Sequence, residues 1–97
     1  MKHISNGYIF ESNGGYKEIN FINGETVKLQ AKGTGSYGLY GKMRNGKYKR
    51  ITLIDSELNV TSEAKDDNIY TADISGLSYI TVNNVIGDIE NIYYDIF

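Results

Sequence analysis

The residue types that perform acid–base, nucleophilic and metal chemistry are scarce in this chain. Its 97 residues include one histidine, His3, and no cysteine. His3 sits close to the start of the sequence, where side chains are seldom held firmly enough to act as a base or ligand. Zinc sets, Cys–His pairs and Ser–His–Asp triads all need more than one such group. The residues therefore predict no catalytic group, no metal site, no cofactor and no enzymatic activity.

Three weaker patterns have bland explanations. Asp66-Asp67 and the Asp88/Glu90 pair supply carboxylates, but nothing in the sequence holds them about 5–10 Å apart across a cleft, as glycoside hydrolysis requires. The oxygen-rich run Asp66, Asp67, Asn68 suits calcium by ligand type and lacks the spacing of a calcium loop. Gly33-Thr34-Gly35-Ser36-Tyr37-Gly38 matches the outline of a dinucleotide loop, yet strand-like sequence follows it. A phosphate cradle needs a helix N-terminus there. The glycines are read instead as permitting close chain crossing and bulges.

The sharpest local feature is basic and aromatic. Lys42, Arg44, Lys47, Lys49 and Arg50 put half of the ten basic residues into nine positions, with Tyr40 and Tyr48 nearby. Three readings compete: solvation or edge protection of a hairpin, protein–protein docking, and single-stranded nucleic acid held by phosphate contact and stacking. Nucleic acid is the weakest, because the whole chain carries a net charge of −2. Nine tyrosines with no tryptophan favour half-exposed sheet faces and interfaces. A tyrosine platform around Tyr37, Tyr40 and Tyr48 would also suit a sugar.

Charge is unevenly distributed. Residues 1–50 hold nine bases and three acids, whereas residues 51–97 hold Lys65 against nine acids. The separation suggests electrostatic complementarity with a neighbouring copy or partner. No apolar run approaches a membrane span or a leader core, so the expected site is the cytosol of the producing cell or an assembly made there.

Strand patterns must position these groups. Thr26 to Lys32 alternates, with Val27, Leu29 and Ala31 on one side and Lys28, Gln30 and Lys32 on the other. Asn-Gly recurs at 6–7, 13–14, 23–24 and 45–46, the dipeptide best suited to type I′ hairpins. Residues 36–55 predict a hairpin about Asn45-Gly46, with Tyr37, Leu39 and Met43 on one face and Ile51 with Leu53 returning. Leu58 and Val60 mark a short strand, followed by a polar loop at 62–68. Tyr70, Ala72 and Ile74 mark the next strand, and Ile80, Val82 and Ile86 another. Gly87-Asp88 is read as a turn into a last strand over 89–97.

That last strand is apolar on both sides: Ile92, Tyr94 and Ile96 on one, Ile89, Tyr93 and Phe97 on the other. Such a strand is central and covered, or docked on another chain. Tyr93, Tyr94 and Phe97 therefore join the hairpin residues as candidate interface groups. The sum is about eight strands with regular turns, a single domain over 1–97, and an all-β antiparallel sandwich of jelly-roll type.

The run from Gly33 to Gly41, the Asn45-Gly46 hairpin, and Asn68-Ile69-Tyr70-Thr71-Ala72-Asp73-Ile74-Ser75-Gly76-Leu77-Ser78-Tyr79-Ile80-Thr81-Val82 together resemble small β-sandwich structural proteins of tailed bacteriophages. The likeness covers about residues 25–90. It departs at Thr81 and Asn83, near where those proteins carry an arginine, and at Tyr48, where many have tryptophan. The resemblance implies a non-enzymatic virion component, above all a capsid decoration or a tail or neck accessory protein. Its partners would be other virion proteins and copies of itself. Two alternatives remain open, a carbohydrate-binding module and a small phage-encoded inhibitor of a host enzyme.

Overall fold

Alternation sets the core side of each strand. The structure, a computed structural model, describes residues 5–97. Val27, Leu29 and Ala31 are buried, and Lys28, Gln30 and Lys32 are exposed, as their period of two dictates. The same parity continues inward through Gly33, Gly35, Tyr37, Leu39 and Gly41, so two segments expected as separate strands form one.

The described residues contain ten strands and no helix: β1 (Ser5–Glu11), β2 (Gly15–Tyr16), β3 (Ile19–Asn20), β4 (Thr26–Lys42), β5 (Lys49–Arg50), β6 (Leu53–Asp55), β7 (Val60–Thr61), β8 (Ala64–Lys65), β9 (Ile69–Asp73) and β10 (Tyr79–Ile96). All pair antiparallel in one sheet, along the path β2-β1-β10-β4-β9-β6-β7. β3 adds to β10, while β5 and β8 add to β4.

The two long strands shape the molecule. The 17 residues of β4 would span ~56 Å at ~3.3 Å each. The greatest dimension of the protein is 32 Å, so β4 and its partner β10 must bend sharply. The bend lies where Gly33 and Gly35 face Ile89 and Gly87 across the ladder. On one side of it, β4 runs between the end of β10 and β9; on the other, between the start of β10 and the short β5 and β8. The sheet thus folds over a single apolar core to which both halves contribute, among them Val27, Leu29, Ile92 and Ile96 from one and Tyr37, Leu39, Ile80 and Val82 from the other. This is the all-β antiparallel class expected, built from one continuous folded sheet.

β10 turns the corner with irregularities in register between Asn83 and Ile86 and between Ile89 and Asn91. Each bulge inserts an unmatched residue and so switches which parity faces inward. Ile80 and Val82 are buried, Ile86 is 63% exposed, Ile89 is buried, and Ile92, Tyr94 and Ile96 are buried. The bulge explains why Ile86 leaves the face expected for it. Gly87-Asp88 is part of continuous β10 and not a turn between strands.

Several turn expectations are corrected. Asn6-Gly7 lies inside β1. Asn45-Gly46 does close the hairpin, with the Gly46 amide donating to the Met43 carbonyl at 3.0 Å, but neither residue has positive φ, so the turn is not type I′. At Asn13-Gly14 the positive φ falls on the next residue, Gly15. Met43 lies beyond the end of β4 and is exposed. Leu58 sits in a turn, leaving only Val60–Thr61 as strand, and the loop at 62–68 contains β8 with Ala64 fully buried.

Candidate interaction surface

Burial of the odd-numbered residues of β4 sends Tyr40 and Lys42 outward. Pairing places Thr81 and Arg50 on either side of Tyr40, and Tyr79 opposite Lys42. The basic hairpin and the start of β10 therefore share an outer face with rows of aromatic and charged groups.

Arg50 is the organiser of one row. Its guanidinium lies 5.6 Å from the centroid of the Tyr40 ring, and Nη1 donates to the Tyr40 hydroxyl at 3.3 Å. Nε donates to the Ser62 carbonyl at 2.7 Å, which ties β5 to the approach to β8. The Asn84 amide also donates to the Tyr40 hydroxyl, at 3.0 Å. Gly38 leaves the space that the guanidinium fills: a Cβ there would lie 2.8 Å from Nη2.

Lys42 organises the second row. Its ammonium lies 5.0 Å from the centroids of both Tyr48 and Tyr79, and 3.9 Å from Glu18 Oε2. The Tyr48 hydroxyl donates to that same Glu18 oxygen. Partial burial, then the Glu18 hydrogen bond and charge, push the Tyr48 phenol well above the ordinary tyrosine range. A cation between two ring faces gains from both quadrupoles. Lysine and arginine stems also cover apolar surface while their heads stay wet.

The remaining candidates divide. Arg44, Lys47 and Lys49 are exposed around the hairpin tip, with no acidic partner among the described ion pairs. Tyr93 is 42% exposed and meets Tyr8 edge-on, ring centroids 5.8 Å apart. Tyr94 points inward, where its hydroxyl pairs with Ser5 Oγ at 2.8 Å, so it supports the fold and offers no surface. Phe97 is half-buried, and its backbone closes onto Thr26. Tyr37 is fully buried, which removes it from any platform with Tyr40 and Tyr48. The hairpin residues and Tyr93 lie on different halves of the sheet and form no single site.

The groups tested for chemistry have structural tasks. Asp66 Oδ1 accepts from the Gly35 amide at 2.9 Å and the Asp66 amide donates to the Gly35 carbonyl at 2.8 Å. The Asp67 carbonyl accepts from Gln30. Glu90 pairs with Lys32 at 3.4 Å. Among the described residues no three His, Cys, Asp or Glu side chains are grouped to hold a metal. Gly33 and Gly35 admit the backbone of β10, where a Cβ would meet the Asp88 and Ile86 carbonyls. His3 lies outside the described residues.

Glu18 and Tyr79 complete the lysine row, and neither is among the residues singled out from the sequence. Glu18 precedes a two-residue strand, and only the pairing of β3 with β10 brings it near. Tyr79 alternates with Ile80 and could have been placed outward by parity alone.

This chain shares its fold with a prophage-derived protein. The SPBc2 prophage-derived protein YomS matches 95% of this chain and 90% of its own length, with a TM-score of 0.77 at 15% sequence identity. The PBSX exported protein XepA matches with a TM-score of 0.77 at 14% identity, over 98% of this chain and 37% of XepA. The whole of this chain thus corresponds to about a third of XepA. No family pattern and no characterised protein sequence matches the chain. At these identities YomS and XepA speak for the architecture and assign no residue a role.

Proposed function

We propose that this chain is a non-enzymatic structural protein of a bacteriophage particle, one that decorates the capsid and acts through protein–protein contacts. The observation that carries the reading is the outer face of Tyr40, Lys42, Tyr48 and Arg50. These side chains are cross-linked to one another and to Glu18, Ser62 and Asn84, so they stand preorganised toward solvent. Ordered aromatic and arginine groups are what interface centres use, because little side-chain entropy remains to be lost. The fold shared with prophage-derived YomS supports the phage setting. In this reading the protein waits in the host cytoplasm, then joins the virion, and neither membrane nor nucleic acid is its partner.

Co-sedimentation tests it. Purified protein is mixed with particles of the encoding phage that lack it. Saturable binding is expected, weakened about tenfold or more by Tyr48→Ala with Arg50→Ala. Binding no stronger than that of an unrelated β-sandwich protein refutes the reading.

One observation favours sugar binding as a second reading. A groove of about 370 Å³ on the other half-sheet is lined by Tyr8, Tyr93, Gln30 and Asn91 together with Lys32 and Asp67. Two exposed rings beside amide groups suit a neutral saccharide. Glycan-array binding abolished by Tyr93→Ala would support it, and an empty array would count against it.

A further inference from the structure

Leu58 is oddly placed. It is 82% exposed, and its φ of 67° is in the left-handed region, where a branched apolar side chain is disfavoured. Glycine or asparagine would close such a turn with less strain, and an observed strain of this kind points toward a task. The turn is also held stiffly. Asp55 Oδ1 accepts from the amides of Glu57 and Asn59, each at 2.9 Å. The Leu58 amide donates to the Asp55 carbonyl at 3.0 Å, and the Asp55 amide to the Asn59 carbonyl at 3.0 Å. The result is a rigid apolar knob flanked by the carboxylate of Glu57, with Val60, two residues on, also 70% exposed.

At the other hairpin lies its complement. A cavity of about 290 Å³ has Gly41, Ile51 and Leu77 in its wall and Lys42, Lys47 and Lys49 around it. Gly41 lets the walls approach: a Cβ there would lie 2.6 Å from both Ile51 Cδ1 and Leu77 Cδ1. Lys47 and Lys49 have no acidic partner among the described ion pairs. Leu58 of the same chain does not line this cavity. Apolar knob with acidic flank and apolar socket with basic rim match in polarity and in sign of charge.

We propose that Leu58 of one copy inserts into the Gly41–Ile51–Leu77 socket of a second copy, with Glu57 meeting Lys47 and Lys49. The contact uses different patches on the two copies, so it is heterologous and builds a closed ring or an open chain. It gives the opposed charges of the two sequence halves a specific meeting point. It concerns the purified chain alone, so its outcome is separate from that of the particle reading.

Sedimentation velocity from micromolar to millimolar concentration tests it. The unaltered chain is expected to form species above a monomer. Leu58→Gly, which relieves strain at positive φ, is expected to fold at least as stably and to associate about tenfold or more weakly. Lys47→Glu with Lys49→Glu is expected to do the same by removing the basic rim. Mixed together, these two variants still offer one intact socket and one intact knob, so they should form a 1:1 dimer that grows no further. Glu57→Lys added to the double-glutamate variant should restore association. A chain that stays monomeric throughout, or a Leu58→Gly variant that assembles like the original, overturns the proposal. Association unaffected by the lysine changes overturns the socket.

Discussion

Gly35 and Ile86 stand so close that a Cβ on Gly35 would lie 2.0 Å from the Ile86 carbonyl oxygen. Gly33 has the same relation to Asp88, at 2.2 Å from its carbonyl oxygen. Both glycines have φ in the range that side chains avoid, 149° and 120°. The fold of the sheet onto its core thus depends on two absent side chains, and with it the relative placement of the two outer faces.

Replacing Gly35 with alanine should therefore destabilise the protein by about 3 kcal/mol or more, because strained backbone and a backbone clash add. Gly15 and Gly76 are the controls. They also have positive φ, at 78° and 82°, but a Cβ at either meets nothing within 4 Å. Alanine there should cost about 1–2 kcal/mol, the conformational penalty alone. Urea unfolding midpoints of the three variants measure the difference. Equal losses at all three positions would show that the corner is not specially tight.

The corner also marks where the sequence stops being legible. Alternation of Val27, Leu29 and Ala31, and of Tyr70, Ala72 and Ile74, is a local property, and each of those residues is buried. A bend in a long strand is not local. Gly33 and Gly35 read correctly as sites of close crossing, yet what crosses them lies some fifty residues further on. The bulges in β10 are likewise invisible to parity, so alternation alone puts Ile86 on the inner face and makes Gly87-Asp88 look like a turn. Among the candidate interface residues, the hairpin cluster was legible because basic and aromatic groups fall together in sequence. Tyr93 and Tyr94 are adjacent but point to opposite sides, and nothing local says which one the core takes. Leu58 has the residue type of a strand, and nothing in the sequence signals its exposure or its positive φ.

Tyr37 carries the one buried side-chain polar atom without a hydrogen-bond partner among the described residues. Burial, then the nearby Tyr70 hydroxyl, raises its phenol well above the ordinary value of 10.0. Tyr37→Phe keeps the ring and removes the unsatisfied oxygen, so a gain of about 1 kcal/mol is expected. Tyr70→Phe should lose about 1 kcal/mol, because the Tyr70 hydroxyl accepts from the Lys65 amide at 2.9 Å. Linkage gives an independent check. Above about pH 10 the unfolded chain releases the Tyr37 proton while the folded one retains it, so stability falls as pH rises beyond that point. The alkaline fall should be shallower in Tyr37→Phe, as measured by denaturant unfolding across the alkaline range.

Asp55 holds the turn that presents Leu58. The Asn59 amide above all keeps its carboxyl below the usual value of 3.8 against an opposing effect of desolvation, with the Glu57 amide and the Asn59 side chain adding to the lowering. A lowered folded pKa contributes stability above the unfolded value, which is lost as pH falls through the folded one. The turn should therefore stay ordered at neutral pH and loosen only in acid, below about pH 4. Amide hydrogen exchange at Glu57, Leu58 and Asn59 reads this directly. Asp55→Ala should raise exchange at these three positions at neutral pH while β4 and β10 remain protected. Unchanged protection would show that the turn is held by other means.

The lysine row offers a test of whether the outer face is a coupled unit. Glu18 Oε2 accepts from the Tyr48 hydroxyl and faces the Lys42 ammonium, which in turn lies between the Tyr48 and Tyr79 rings. Hydrogen bonding to a carboxylate stabilises the protonated phenol, and the negative charge disfavours the phenolate, so both effects act in one direction. Glu18→Gln keeps the shape and removes the charge. The Tyr48 phenol should then titrate at lower pH than in the unaltered protein, still above the ordinary range because its partial burial remains. Ultraviolet titration of the tyrosines, with Tyr48→Phe to assign the transition, follows the change. If the Tyr48 transition does not move, Glu18 is a bystander and the order of this face comes from the rings and Lys42 alone. If it moves and Lys42→Met moves it upward, the three residues act together. The second outcome is expected, because removing the ammonium withdraws a cation that stands 3.9 Å from Glu18 Oε2 and 5.0 Å from the Tyr48 ring centroid.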